Sequence, residues 1–207
     1  MYPQLERYLA ELSGFSALSP ERRALLEPLA AYIRRKLDAG VPAKLTFICT
    51  HNSRRSHFGQ VWAQAAAQYC GVGPVECFSG GTETTACNPR TVTALVRAGI
   101  RAQAITGGDN PVYLFRYAEG APPLAAFSKT YDRAPNPTAG FAAVMTCSQA
   151  EENCPYIPGA EKRFPITYED PKSADGTPDE PAVYDARCRQ IAQEMLYVFK
   201  RVKELNY

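Results

Sequence analysis

The sequence predicts an α/β fold in three layers, α/β/α, in which a parallel β-sheet carries helices on both faces and a helical extension precedes it. Short apolar runs, typical of buried strands, recur along the chain at 44–49, 75–79 and 141–147. Longer segments of helix-forming residues lie between and after these runs. Strands that alternate with helices indicate a parallel sheet, because the connection between parallel strands is usually a helix.

The first 40 residues are predicted to be helical. In the segment SPERRALLEPLAAYIRRKLDAG, Ser19 is a good N-cap, Pro20 suits the first helical position and Gly40 suits the end. The apolar residues of this segment recur at helical spacing. We expect this stripe to pack against the protein rather than to form a groove for a partner. The predicted organisation is a helical extension over 1–40 and a main domain over 41–207.

Further helices are predicted from their caps. One follows the first strand and ends at Gly71, and another begins at Asn88 and Pro89. A last long helix is predicted over 183–205. Because these segments separate the three apolar runs, they are the candidates for the two helical layers.

Residues 107–140 interrupt this alternating pattern. Gly and Pro are frequent in this segment, yet it carries several aromatic residues, too many for a solvated linker. We therefore predict an ordered insertion that covers one edge of the sheet.

The composition excludes several classes of protein. The 23 Lys and Arg residues nearly balance the 21 Asp and Glu residues of the 207-residue chain, so nothing indicates a nucleic-acid-binding surface. No apolar run approaches the length of a membrane span, and the amphipathic N-terminus does not resemble a signal peptide. We expect a cytoplasmic protein that binds neither nucleic acid nor a membrane.

The cysteines indicate chemistry rather than disulfide bonding. There are 7 of them, an odd number in a chain too large to need disulfides for its stability. In a reducing compartment such thiols are usually packing residues, metal ligands or catalysts. The spacing of Cys147 and Cys154 is not a familiar metal-ligand spacing, and no histidine lies near them in the sequence. We therefore expect no metal and no cofactor, and spacing alone would make these two cysteines packing residues.

The segment FICTHNSRRSH, residues 47–57, combines the end of a strand, a short loop and the start of a helix. Backbone N–H groups converge in such a loop, and their field binds oxyanions and favours the thiolate form of a cysteine. Cys49 is the candidate nucleophile, and Arg55 can grip the anion with two N–H donors. Ser56 can donate to the cysteine sulfur, and Asn52 can hold the loop in shape. Because the Cys-x5-Arg spacing alone is weak, the alternative is a buried cysteine that ends a strand.

The segment CTHNSRRS resembles the phosphate-binding loop of the low-molecular-weight protein tyrosine phosphatase family and of its thioredoxin-coupled arsenate reductase branch. FSGGTET and CNPRTVTALVRAGI resemble the strand and helix that follow in that family. The resemblance implies that 41–207 forms a domain of this family, with a four-stranded parallel sheet in flavodoxin-like order. It also implies that the loop residues bind a small oxyanion; these residues are Thr50, His51, Asn52, Ser53, Arg54, Arg55 and Ser56.

The loop departs at two positions from the family pattern C-T-G-N-x-C-R-S. His51 stands where glycine is usual, which places a side chain in the loop and raises the question of a strained positive φ there. Arg54 stands where cysteine is usual. Both departures bear on the size of the substrate and on its turnover.

The resemblance assigns the general acid to Asp170. The family takes this acid from an Asp-Pro pair on a late loop, and here Asp170 precedes Pro171. From the residues alone, an Asp-Pro pair is a turn former, so a simple turn is the alternative. Glu169 and Asp175 are neighbouring carboxylates that compete for the same role.

The resemblance also gives a role to the second pair of cysteines. In the arsenate reductase branch, a cysteine that ends a strand is followed seven positions later by another cysteine and a proline, as with Cys147 and Cys154 here. This implies a relay in which Cys49 attacks arsenate, Cys147 attacks the Cys49 sulfur and releases arsenite, and Cys154 then attacks Cys147. A thioredoxin-type reductant would reduce the resulting disulfide. The other cysteines are interpreted as packing residues: Cys70, Cys77, Cys87 and Cys188.

The segment SQAEEN, between the two relay cysteines, favours a helix with Ser148 as its N-cap. Seven helical residues would separate the two Cα atoms by about 10 Å, whereas a disulfide tolerates at most about 7 Å. We therefore predict a short helix in the reduced protein that unwinds when the disulfide forms.

Three functions remain open at this point. The first is an arsenate reductase-like enzyme. The second has the same fold and is a phosphatase that hydrolyses phosphotyrosine or small phosphate esters through a phosphorylated Cys49. The third is a non-catalytic redox-sensing or phosphate-binding module. The pair Cys147 and Cys154 favours the first over the second. The presence of Arg55 and Asp170 together with Cys49 disfavours the third.

Overall fold

The computed structural model describes residues 1–153 and 156–205. No helix in this part of the chain is long and apolar enough to cross a membrane. The helices are α1 (Pro3–Glu11), α2 (Pro20–Asp38), α3 (Arg55–Cys70), α4 (Pro89–Arg97), α5 (Ser148–Asn153) and α6 (Glu180–Glu204), with a 3₁₀ turn at Pro171–Ala174. The strands are β1 (Ala43–Cys49), β2 (Val75–Gly81), β3 (Arg101–Ala104), β4 (Tyr113–Arg116), β5 (Leu124–Ala126), β6 (Phe141–Met145) and β7 (Ala160–Phe164).

The main sheet has four parallel strands in the order β2-β1-β6-β7. Alternate residues of its two central strands face opposite layers, as the two-residue period of a strand requires. Leu45 and Phe47 of β1 join the large core that the sheet shares with α2, α3 and α6. Ile48 and Met145 join a smaller core that includes Ala150 of α5. The three-layer α/β/α fold with a four-stranded sheet in flavodoxin-like order is therefore confirmed.

The fourth strand of the main sheet, β7, has no apolar run to reveal it. Glu161 and Lys162 are exposed, because β7 lies at the edge of the sheet. Phe164 is the buried residue that joins the strand to the large core. An edge strand needs few apolar residues, so only the family resemblance implied this strand.

The first 40 residues form α1 and α2, as predicted. The Ser19 side chain caps α2 by accepting a backbone N–H at 3.1 Å. Leu26 is fully buried in the core that also contains the sheet, and Tyr8 of α1 stacks on Trp62 of α3 with ring centroids 5.4 Å apart. The apolar stripe therefore packs against the protein, as expected. The placement of a domain boundary at residue 40 stays a prediction.

The predicted insertion contains β4 and β5, which pair with β3 in a second, antiparallel sheet. After β5 the chain returns to the main sheet. Gly81, at the end of β2, donates its N–H to the Lys129 carbonyl at 2.8 Å and accepts the Tyr131 N–H at 3.0 Å. Gly81 is also the register partner of Cys49. The segment is therefore ordered, and it meets the edge strand β2 next to the end of β1.

A buried carboxylate joins the N-terminal helices to the rest of the chain. Glu194 of α6 is fully buried and accepts two hydrogen bonds from the Arg22 guanidinium, at 2.9 and 2.7 Å. It also accepts the Tyr168 hydroxyl at 2.8 Å. Burial and the Glu194 carboxylate hold the pKa of Tyr168 well above its ordinary value, so its hydroxyl stays protonated and donates. The two-pronged bond from arginine offsets the desolvation of the buried charges.

Candidate active site

The loop between β1 and α3 is the strand-loop-helix connection that the sequence predicts, since β1 ends at Cys49 and α3 begins at Arg55. Donors outside the loop hold its carbonyl groups. These hydrogen bonds run from Thr82 N to Cys49 O (3.1 Å), from Glu83 N to Thr50 O (2.8 Å), from Asn88 N to Ser53 O (3.0 Å) and from Ser128 Oγ to His51 O (2.8 Å).

The backbone N–H groups of this loop differ from its carbonyl groups in their hydrogen bonding. Within residues 1–153 and 156–205, no hydrogen-bond acceptor is found for the N–H groups of residues 50–54. With the carbonyl groups held outward, these N–H groups are free to converge on the concave side of the loop. Together with the N-terminus of α3 they form a donor set suited to a tetrahedral oxyanion, and binding by this set stays a prediction.

The candidate nucleophile has a hydroxyl donor beside it. Cys49 Sγ lies 3.1 Å from Ser56 Oγ, and Asn52 Nδ2 donates to the same oxygen at 2.9 Å. Because the Ser56 oxygen accepts from Asn52, its own proton is available to the sulfur, where it stabilises a thiolate. Asn52 has φ of 45°, whereas His51 does not have a positive φ. The left-handed residue of the loop is therefore an asparagine, which tolerates this conformation, and not the histidine.

Arg55 is buried at the start of α3 and is fixed by two bonds. Its Nη1 donates to the Tyr168 carbonyl at 2.9 Å, and its Nη2 donates to Asp170 Oδ2 at 2.6 Å. The Nε–H group is buried and has no hydrogen-bond partner in the described residues. A buried, unpaired N–H on a fixed cation suits an anionic acceptor.

Of the three candidate acids, Asp170 is the one that contacts Arg55. The Glu169 side chain is 92% exposed. Asp175 instead accepts a bond from Arg54 at 2.9 Å. Asp170 also accepts the N–H of residue 172 at 3.0 Å and so caps the 3₁₀ turn. The Asp-Pro pair therefore forms a turn and also places a carboxyl group beside Arg55. The role of Asp170 as general acid stays a prediction.

The two departures from the family loop have specific partners. The His51 ring lies 3.5 Å from the Glu83 carboxylate and is partly exposed. Arg54 Nε donates to the Tyr184 hydroxyl at 2.6 Å, and this hydroxyl donates to Asp175 at 2.7 Å. Burial raises the pKa of Tyr184 to about 12, which keeps the hydroxyl protonated. Arg54 therefore ties the loop to α6 and to the segment that follows Asp170.

Cys147 lies directly after β6, next to the loop that begins at Cys49. It is a buried free thiol, its Sγ lies 3.5 Å from Thr50 Oγ1, and it accepts the Ala150 N–H at 3.4 Å. Adjacent parallel strands bring their carboxyl ends to the same edge of a sheet, which places the two thiols in one region. The helix predicted for the reduced protein is present as α5. Cys154 lies outside the described residues.

Sequence reasoning missed the residues that brace the loop from the insertion. Ser128 Oγ donates to the His51 carbonyl and accepts the Thr85 N–H, each at 2.8 Å. Asn110 in turn holds Ser128 by two bonds, at 2.8 and 2.9 Å. The backbone N–H of Lys129 donates to Asn52 Oδ1 at 3.0 Å. No local pattern marks these residues, because they meet the loop only through the fold.

The cysteines interpreted as packing residues are all buried. Burial raises the pKa of Cys87 and of Cys188 to about 12, and it also raises the pKa of Cys70 and of Cys77. Thiols in this state are poor nucleophiles near neutral pH. Over the described ranges, no group of three or more His, Cys, Asp or Glu side chains is placed to hold a metal ion.

Comparison with known proteins agrees with the resemblance seen in the sequence. No family model matches the chain. The arsenate reductase of Bacillus subtilis is 27% identical over 143 residues, which cover 69% of this chain and 84% of the relative. That of Bacillus licheniformis is 25% identical over 158 residues, covering 76% and 95%. The solved low-molecular-weight protein tyrosine phosphatase of T. tengcongensis has a TM-score of 0.52 at 17% identity, covering 79% of this chain and 99% of its own. The predicted resemblance to this superfamily is confirmed, and the solved structure shows the fold.

If Arg55 and the loop amides bind an oxyanion, Arg55→Lys should weaken the affinity for inorganic phosphate by about 100-fold. A lysine ammonium is a compact point charge and cannot reproduce the planar fork that reaches Tyr168 and Asp170 while a third N–H group faces the anion. Isothermal titration calorimetry at constant ionic strength measures the affinity. Arg116→Lys, at an exposed position on β4, is the matched control and should bind phosphate as the wild type does. Unchanged affinity in the Arg55 variant would contradict the assignment.

Proposed function

We propose that the protein is an arsenate reductase-like enzyme in which Cys49 is the nucleophile. Cys147 and Cys154 then take over the oxidising equivalents by forming a disulfide with each other. The observation that supports this most is the position of Cys147. It is a buried free thiol whose sulfur lies 3.5 Å from the hydroxyl of Thr50, the residue next to Cys49. A phosphatase reaction needs no second thiol at this place. The curated relatives named arsenate reductase support the same proposal.

In the first step, arsenate binds to the N–H groups of the loop and to the Arg55 guanidinium. The Cys49 thiolate attacks arsenic, so that a sulfur–arsenic bond forms and an arsenic–oxygen bond breaks. Asp170 supplies a proton to the departing oxygen, which leaves as water. The Ser56 hydroxyl stabilises the thiolate before the attack, and its 3.1 Å distance from the sulfur suits this role.

In the second step, the Cys147 thiolate attacks the Cys49 sulfur. A disulfide forms between them, and the electron pair of the sulfur–arsenic bond stays with arsenic, which is reduced from the pentavalent to the trivalent state and leaves as arsenite. The thiolate of Cys147 can be stabilised by the Thr50 hydroxyl and the Ala150 N–H. This is ordinary thiol–disulfide chemistry, in which the thiolate is the attacking species.

In the last step, Cys154 attacks Cys147, which frees Cys49 for another cycle. A thioredoxin-type dithiol partner then reduces the disulfide between Cys147 and Cys154 by two electrons. Such a relay needs a reducing compartment, which supports the cytoplasmic location that we propose.

Hydrolysis of phosphate esters is the second candidate function, with phosphotyrosine or a small ester as substrate. The position of Asp170 favours it, because the carboxyl group lies 2.6 Å from Arg55 and in its protonated form can give a proton to the leaving oxygen of a bound ester. This reaction would pass through a phosphorylated Cys49 and would not use Cys147 or Cys154.

Cys49→Ser should lower both arsenate reduction and the hydrolysis of p-nitrophenyl phosphate on the order of 1,000-fold or more, because a serine hydroxyl is not ionised in this loop. Both rates are measured on the purified protein. Cys70→Ser, a substitution at a buried thiol on the far end of α3, is the control and should keep both activities. Appreciable activity in the Cys49 variant would sink the assignment of the nucleophile.

Cys147→Ser and Cys154→Ser should separate the two candidate functions. With arsenate as substrate and thioredoxin as the only reductant, each variant should lose multiple turnover, because the disulfide between Cys147 and Cys154 can no longer form. Each should keep wild-type hydrolysis of p-nitrophenyl phosphate, since that reaction needs only the loop and Asp170. If either variant still reduced arsenate over many cycles, the proposed relay would be wrong.

Formation of the disulfide between Cys147 and Cys154 should unwind α5, since a helix would hold their Cα atoms about 10 Å apart. Hydrogen exchange across 146–158 should therefore be slower in the reduced protein than in the oxidised protein. The amides of α3 serve as the internal control and should exchange alike in both states. Equal protection of 146–158 in the two states would refute the predicted unwinding.

A further inference from the structure

A cavity of about 300 Å³ lies beside the oxyanion loop. One wall is formed by the loop residues His51, Ser53 and Arg54. The opposite side includes Asn88 at the start of α4 and Lys172 from the 3₁₀ turn. The cavity therefore adjoins both the loop proposed to hold an oxyanion and the 3₁₀ turn that follows Asp170.

The lining of this cavity is positive or neutral. Within residues 1–153 and 156–205, no Asp or Glu side chain lines it, and neither does any Phe, Tyr or Trp. Three of the lining side chains carry or can take a positive charge, namely those of His51, Arg54 and Lys172. A ring substituent would find no aromatic face to stack on, whereas a negatively charged group would meet favourable charges.

Two of these cations have different constraints. Arg54 is held in place by the Tyr184 hydroxyl at 2.6 Å and by Asp175 at 2.9 Å, so much of its charge is already compensated. Lys172 is exposed, and its amino group has no carboxylate partner in the described part of the chain. Its backbone N–H donates to the Asp170 carboxylate at 3.0 Å, which fixes where the side chain starts. Lys172 is therefore the cation available to a ligand.

We propose that this cavity is a subsite for an anionic leaving group. The substrate class is a phosphate monoester whose organic part carries a second negative group, such as a carboxylate, that pairs with Lys172. Asp170 and Lys172 belong to one turn, so the same element would place a proton donor at the ester oxygen and a cation farther along the leaving group. The inference rests on the oxyanion role proposed for the loop, and it specifies the substrate of the ester-hydrolysing activity.

The test compares two esters in a Cys49→Ser background, in which turnover is blocked. 3-Phosphoglycerate and glycerol 3-phosphate have similar size and differ in a carboxylate that replaces a hydroxymethyl group. We expect 3-phosphoglycerate to bind about 10-fold more tightly by isothermal titration calorimetry, a difference of about 1.4 kcal/mol. Lys172→Ala should abolish this preference and leave the affinity for glycerol 3-phosphate unchanged, while Lys172→Arg should keep it.

Lys203→Ala is the control for charge alone, since it removes one exposed cation at the far end of α6. This variant should keep the preference for 3-phosphoglycerate. Equal binding of the two esters, or a preference that survives Lys172→Ala, would overturn the subsite and leave the oxyanion role of the loop intact. Failure of the protein to bind either ester or inorganic phosphate would refute the oxyanion role and the subsite together.

Discussion

The candidate site depends on the hydrogen bonds that hold the carbonyl groups of the loop between β1 and α3 away from its concave side. An isolated loop would let its carbonyl and N–H groups compete for the same space, and its N–H groups could not all face one anion. Here donors from the end of β2, from the start of α4 and from the insertion hold the carbonyl groups of Cys49, Thr50, His51 and Ser53. The concave side is left to donors alone. The chemistry proposed for Cys49 rests on this arrangement, because a surface of donors favours both a thiolate and a bound oxyanion.

A chain of hydrogen bonds also links Arg55 to distant parts of the protein. Its guanidinium donates to the Tyr168 carbonyl, and the Tyr168 hydroxyl donates to the buried Glu194, which pairs with Arg22 of α2. The N-terminal helices therefore help to hold the segment that places Asp170, although they lie outside the family resemblance. A buried ion pair of this kind is costly to break from one side, because the remaining charge is left desolvated. The helices thus help to hold the segment that contacts Arg55.

The topology also accounts for the place of the second thiol. β1 and β6 are adjacent and parallel, so Cys49 and Cys147 both come at the carboxyl edge of the sheet, where ligands of open α/β folds bind. A loop that carries the nucleophile and a strand end that carries a second sulfur are suited to thiol exchange. The other cysteines of the described residues lie in the core, where burial keeps them protonated. Position at the carboxyl edge of the sheet, more than spacing in the sequence, marks Cys49 and Cys147 as the candidates for the proposed exchange.

Local sequence predicts the parts of this protein whose structure depends on neighbours a few residues apart. The alternation of strands and helices, the cap at Ser19, α5 and the strand-loop-helix unit that carries Cys49 and Arg55 are all local, so residue preferences and short motifs predict them. Other features depend on contacts between distant segments and are seen only in the folded protein. The polar edge strand β7, the bracing of the loop by Ser128 and the ties from Arg54 to Tyr184 and Asp175 join segments far apart in the chain. Their partners are chosen by the packing of the folded chain, and no pattern within a short window of sequence encodes them.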